Sequence, residues 1–342
     1  MSDVGYALRS FLDAHRLGSG PVTLTRIGEG HSNLTFLVER DGGSRYVLRR
    51  PPPPPPPLGM HDIAREVRIL MRLRDVPVPR VLAHDETGEV IGVPFYVMEY
   101  LDGHVLVDAL PQALSPAAER RRIGEATVDA LVALHAVDVR AAGLADFGRP
   151  DSFVERQLGR TVRLWEQMKT REVPAFNAIR SWLQVQLPPP QGATVLHGDY
   201  RLGNLIFARQ APARLLGILD WEIASLGDPL VDLGYLSAYW VQPDDPPLRI
   251  FDLGAVLRDG GFLTRAEIVQ RYTQGTGRDL SSLRFYEVFA FWRLAAMMQS
   301  NYKRARDGVI ESQYLLGYEE GSAEMIERAA WLAGLGPEPQ ER

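Results

Sequence analysis

The sequence predicts an α+β chain of two lobes: a small antiparallel β lobe with one packed helix over residues 1–101, and a larger, mainly helical lobe over 102–342. Three observations carry this expectation. Apolar residues alternate with a period of two through much of the first hundred residues, the pattern turns helical after Asp102-Gly103, and a short β-rich island at 194–222 interrupts the helices that follow. The 342 residues suit roughly two units of about 150 residues, and 45 % apolar with 24 % charged side chains is the balance of an ordinary globular chain with a large core.

Residues 6–17 read as a short amphipathic helix with Tyr6, Leu8, Phe11 and Leu12 apolar. Residues 22–27, 33–39 and 45–49 read as strands, with Asp41-Gly42-Gly43 turning between the last two. A helix over 63–75 would place Ile63, Val67, Leu70 and Met71 on one face, and strands at 79–86 and 95–101 flank a turn at Thr87-Gly88. A long helix at 115–136 is expected to open with Ser115 as N-cap and Pro116 in first position. Helices at 152–169 and 174–187 precede the β-rich stretches 194–208 and 215–222, and helices continue from about 229.

Composition excludes several classes. Without cysteine there is no disulfide framework, thiolate zinc site or cysteine nucleophile. A formal charge of −5, from 38 Lys+Arg against 43 Asp+Glu, and the lack of a long basic run argue against nucleic-acid binding. The charged first residues hold no apolar signal-peptide core, and the charge-free stretch 181–198 is broken by Pro188, Pro189 and Pro190, so no membrane association and a cytoplasmic location are expected. The run Pro51–Pro57 should form a stiff polyproline II segment, an exposed loop rather than a docking motif for a protein partner.

The chemistry concentrates in His197-Gly198-Asp199-Tyr200-Arg201-Leu202-Gly203-Asn204, followed by Asp220-Trp221-Glu222. An Asp and an Asn five residues apart, on a loop between short strands, can face one small volume: one takes a proton, the other offers an amide oxygen to a metal. A second Asp at the end of the next hairpin can complete the oxygen ligands of Mg²⁺, whose remaining positions take waters and phosphate oxygens. The alternative for Asp199 and Asn204 is a turn in which both side chains cap backbone amides.

The chain resembles the aminoglycoside-phosphotransferase-like (choline-kinase-like) family of protein-kinase-like fold, in the branch related to the kinase-like domains of some acyl-CoA dehydrogenases. The resemblance runs from about 20 to 310 on GEGHSN (28–33), YVLRRPP (46–52), REVRIL (65–70), VPVP (76–79), PFYVMEYLDG (94–103), HGDYRLGN (197–204), ILDWE (218–222) and GDPLVDLG (227–234). It implies a small-molecule kinase that transfers the γ-phosphoryl of ATP to a hydroxyl of a small substrate with Mg²⁺. Asp199 would be the catalytic base, Asn204 and Asp220 the metal ligands, His197 a brace for the loop, and Asp232 structural; Arg201 would lie near the phosphates or the acceptor.

The resemblance places a nucleotide-covering loop at Gly28, Gly30, Ser32 and Asn33, where glycines let backbone amides approach phosphates; a plain hairpin turn is the competing reading. In the third strand Arg49 stands where kinases carry lysine, with Glu66 as its natural partner, and a guanidinium can still bridge phosphate oxygens. Backbone groups of Glu99, Tyr100 and Leu101 would meet the adenine edge between Val47 and Ile218. Glu222 is a candidate to face metal-bound water or the acceptor. Tyr235, Tyr239, Trp240, Phe291, Trp292, Arg293 and Tyr302 offer an aromatic acceptor wall with one cation, better suited to an amphipathic hydroxylated substrate than to a polycationic sugar; aromatics at this spacing are also what a helical core needs. A nucleotide-binding pseudokinase or interaction module is the alternative that Arg49 favours; a metal-dependent hydrolase lacks a second His cluster.

Overall fold

The computed structural model describes residues 3–28, 33–52, 62–246 and 254–339. Gly30, Ser32 and Pro53–Pro57 of the proline run therefore lie outside the described residues.

Helix α1 (Asp3–Ala14) leads into β1 (Ser19–Ile27), β2 (Leu34–Asp41) and β3 (Arg45–Arg50), then α2 (Ile63–Leu70), β4 (Val81–Asp85) and β5 (Phe95–Glu99). The strands form one antiparallel sheet in the order β1-β2-β3-β5-β4. Period-two alternation feeds two separate cores. Leu48, Phe95 and Val97 pack with Leu8 and Leu12 of α1, whereas Val47, Tyr96 and Met98 join Ile63 and Val67 of α2. The sheet is thus covered by a helix on each face, where the pattern predicts one. Burying Leu8 and Leu12 contributes about 1.5–3 kcal/mol apiece.

Helix α2 ends at Leu70, five residues short of the predicted end. Beyond it Leu73 and Val76 are both buried, and the carbonyl of Pro77 accepts from Ile218 N–H at 2.8 Å, so the chain must leave the helical path to seat them.

The remaining chain is mainly helical: β6 (Gly103–Val105), α3 (Ala117–His135), α4 (Phe153–Met168), α5 (Pro174–Val185), β7 (Thr194–Leu196), β8 (Leu205–Ala208), β9 (Leu215–Ile218), β10 (Ser225–Gly227), α6 (Leu230–Tyr239), α7 (Arg265–Thr276), α8 (Leu283–Arg306), α9 (Gln313–Leu316) and α10 (Tyr318–Leu332). Pro116 takes the N-cap position of α3, not the first helical one, and Ser115 Oγ donates to Gln112 O instead. Two small sheets, β6-β8-β9 and β10-β7, carry the loops of interest. The long α8 runs through the core, and Gly234 lets α6 approach it: a Cβ there would meet Tyr286 Cβ at 2.4 Å and its carbonyl carbon at 2.8 Å. Of the expected aromatic wall, Trp240 and Trp292 belong to this core, their indole N–H groups donating to Leu263 O and Phe176 O. Among the described residues no helix is long and apolar enough to cross a membrane.

Candidate active site

The loop 197–204 leaves β7 and enters β8, and the chain returns along β9 to Asp220. Two backbone contacts on either side of Leu219 lock these segments together: Leu219 N–H donates to Asn204 O, and His197 Nε2 lies 2.8 Å from Leu219 O. Because His197 Nδ1 accepts from Asp199 N–H at 3.2 Å, its Nε2 carries the proton. His197 is fully buried, edge-on to Trp221 with centroids 4.8 Å apart. It holds the loop by hydrogen bonding, through both ring nitrogens.

Asp232 anchors the same loop from α6. Its Oδ2 accepts from His197 N–H at 2.7 Å and its Oδ1 from Gly198 N–H at 2.8 Å, with His135 Nε2 3.5 Å from Oδ2. Burial alone would push this carboxyl up in pKa; His135, His197 and the Gly198 amide outweigh it and hold Asp232 below its ordinary value. Gly198 adopts φ +88° with Ile223 O 3.1 Å from where a Cβ would stand, so the turn requires glycine.

Asn204 Nδ2 donates to both Asp199 O at 2.8 Å and Asp199 Oδ2 at 2.7 Å. Two acceptors on that side fix the amide orientation and turn Oδ1 away from Asp199, where no hydrogen bond occupies it among the described residues. These side chains do not cap backbone amides as the plain-turn alternative requires. Arg201 Nε lies 3.3 Å from Asp199 Oδ1; burial opposes its charge, but Asp199 foremost raises its pKa, and Asp220 is also within electrostatic reach.

Asp220 has φ +65°, in the left-handed region that Asp tolerates better than most residues, which re-aims its side chain at the turn after β9. Arg49, in the central strand β3, reaches it across the molecule: Nη2 is 2.5 Å from Asp220 Oδ1 and 3.3 Å from Glu222 Oε2. Nε stands 3.0 Å from Glu66 Oε2 but off the line of a hydrogen bond, so that contact is chiefly charge on charge. Glu66 also accepts from Tyr96 Oη at 2.9 Å and from Asn33 Nδ2. Burial works against the Arg49 charge, yet Glu66, with Tyr96, Asp220 and Glu222, raises its pKa.

Arg49, Glu66, Asn33, Asp199, Arg201, Asn204 and Asp220 thus form two linked clusters. Asn33 donates its amide to Glu66, and Gly28 keeps a left-handed φ of +75° with nothing among the described residues close to where a Cβ would stand. Glu99 N–H is committed to Arg80 O, and its carboxylate accepts from Arg80 N–H at 2.9 Å; the Arg45 guanidinium covers the Tyr100 ring at 4.3 Å, and Leu101 Cδ1 abuts Gly217. Tyr235 and Tyr239, with ring centroids 4.7 Å apart, both lie near Asp199; burial raises their pKa values first, and Asp199 next. Among the described residues the Tyr239 hydroxyl is buried without a partner.

Divalent-cation chemistry fits these groups. One guanidinium nitrogen stands between the Asp220 and Glu222 carboxylates, and the oxygens of Asp220, Glu222 and Asn204 are each of the hard type that Mg²⁺ takes, although among the described residues no three acidic or histidine side chains gather into a metal cage. The sequence-level reading missed the direct Arg49–Asp220 contact, because 171 residues separate the two.

Comparison with known proteins bears on the chain as a whole. A model described as "Phosphotransferase enzyme family" matches residues 23–286. Acyl-CoA dehydrogenase family member 10 of Mus musculus is 35 % identical over 309 residues, covering 89 % of this chain and 28 % of that protein. A probable acyl-CoA dehydrogenase, IBR3 of Arabidopsis thaliana, is 33 % identical over 82 % of this chain and 36 % of its own length. The chain spans between 28 % and 41 % of the length of the curated relatives it matches. A crystal structure from Ralstonia eutropha, described as a candidate aminoglycoside phosphotransferase, is 32 % identical with a TM-score of 0.80 over 96 % of this chain and 98 % of that one. A microcompartment-associated aminopropanol kinase, 19 % identical with a TM-score of 0.63 over 97 % of this chain and 98 % of its own, shares the fold.

Proposed function

The chain belongs to the phosphotransferase enzyme family, and on that premise we propose that it is a small-molecule kinase transferring the γ-phosphoryl group of ATP to a substrate hydroxyl. The nucleotide would lie between a lobe of residues 1–101 and one of 102–342. Its phosphates would meet Arg49 and the loop at Gly28, Gly30 and Ser32, with Glu66 and Asn33 setting the Arg49 guanidinium, and the adenine would meet backbone groups of Glu99, Tyr100 and Leu101 other than the Glu99 N–H, which Arg80 O already holds.

The observation that supports this reading is the Asn204 amide gripping Asp199, with its oxygen free of hydrogen bonds among the described residues. Asp199 would orient the acceptor hydroxyl and take its proton as the oxygen bonds to the γ-phosphorus and ADP leaves. Asn204 and Asp220 would hold Mg²⁺, which supplies charge neutralisation on the phosphates. Arg201, paired to Asp199, would keep that carboxylate aimed. His197 and Asp232 fix the loop so that little reorganisation remains at the moment of transfer.

The test is ADP formation over a panel of aminoglycosides, amino alcohols, sugars and hydroxy-acyl compounds, repeated with Asp199→Asn. One acceptor class should stimulate turnover, and the variant should lose at least about 100-fold in kcat while keeping ATP binding. Near-wild-type turnover in the variant would remove Asp199 from its role. Mg-ATP binding with no turnover on any acceptor would favour a pseudokinase instead.

A further inference from the structure

The guanidinium of Arg49 engages Asp220, the carboxylate that the proposed function gives to the divalent cation, together with Glu222. A single nitrogen, Nη2, contacts Asp220 Oδ1 at 2.5 Å and Glu222 Oε2 at 3.3 Å, so both oxygens are within reach of one positive centre. The other end of the fork stays with Glu66, whose place is set by Tyr96 and Asn33. Three carboxylates therefore share one guanidinium. A planar fork can serve carboxylates from two different elements at once, which a lysine ammonium on a shorter contact edge does less well.

We propose that Arg49 is a built-in stand-in for the metal ion, masking the Asp220 and Glu222 carboxylates until phosphate oxygens offer the guanidinium another partner. This rests on the phosphotransfer reading above. Its consequence is that free divalent cation is excluded and the site loads with the metal–nucleotide complex. Phosphate can draw off Nη2 because bidentate phosphate pairing is at least as favourable to a guanidinium as a shared carboxylate. Glu66 keeps its hold on Nε throughout, so the side chain swings without leaving its anchor.

The experiment is a Mn²⁺ titration of the full chain without nucleotide, read by the electron paramagnetic resonance of free Mn²⁺. It compares wild type, Arg49→Gln, and Arg49→Gln combined with Asp220→Asn. Removing one unit charge at contact distance should tighten Mn²⁺ at one site by about tenfold or more, and the added Asp220→Asn change should abolish the gain. Wild type binding Mn²⁺ as tightly as Arg49→Gln, or a gained site that survives Asp220→Asn, overturns the proposal.

Should Arg49→Gln fail to fold, Arg49→Lys carries the same test: its ammonium can stay with Glu66 and leave Asp220 free, so tightening is again expected and its absence is again fatal. Mg-ATP binding and ADP formation by wild type, measured in parallel, test the phosphotransfer reading. The nucleotide-free titration decides the masking separately.

Discussion

Replacing Asp232 by Asn isolates what the buried carboxylate contributes to the loop. The carboxylate accepts two backbone N–H groups, from His197 at 2.7 Å and Gly198 at 2.8 Å, in a site with no exposure to solvent. An amide keeps one acceptor oxygen but turns an NH₂ toward the other N–H. One charge-assisted hydrogen bond is lost and one buried donor is left unpaired, which together cost about 3–5 kcal/mol. Urea denaturation followed by tryptophan fluorescence should show this as a lower midpoint. Trp221, against His197, reports on the loop itself. The pH dependence supplies a second check. The Asp232 pKa is depressed on folding, so its contribution is complete above the unfolded carboxyl value of about 3.9 and is lost as pH falls through the lower folded value. The variant has no such titration, and the stability gap between the two proteins should narrow on acidification. A loss under about 1 kcal/mol at neutral pH, or a gap that widens toward acid, would refute the reasoning.

Further outcomes follow from packing and from buried hydroxyls. Gly234→Ala drives a methyl into the Tyr286 backbone and should cost at least about 1–3 kcal/mol in a thermal melt followed by circular dichroism; an unchanged melting temperature would mean that α6 and α8 separate freely. Two tyrosine truncations should differ in effect. Tyr200→Phe removes a fully buried hydroxyl that donates to Thr127 O at 2.7 Å and should destabilise by about 1 kcal/mol. Tyr239→Phe removes a buried hydroxyl with no partner among the described residues and should be neutral or stabilising; destabilisation beyond about 1 kcal/mol in the same denaturation assay would show the Tyr239 hydroxyl to be satisfied.

The β lobe was legible because alternation is a local signal: Val47 and Leu48, or Tyr96 and Val97, go to opposite cores simply by being neighbours on a strand. Strands β6 and β10 were not legible, since each has only three residues and exists through a partner far along the chain, about a hundred residues away for β6 and about thirty for β10. Likewise the helical spacing of Trp240 and Trp292 could not distinguish core from pocket. Their indole N–H groups decide it by finding buried carbonyls. At the site, the sequence placed Asp199 and Asn204 on one loop, and loop geometry brings them to 2.7 Å. What no local pattern contains is the meeting of Arg49 with Asp220 and Glu222, because it depends on how the β3 strand faces the turn after β9. That contact also changes the meaning of the substitution at Arg49. The sequence alone reads Arg49 as a substitute for the usual kinase lysine that can still bridge phosphate oxygens, while also favouring the pseudokinase alternative. In the structure the arginine contacts Glu66, Asp220 and Glu222 at once, so the residue that departs from the kinase pattern sits at the centre of the site's acids.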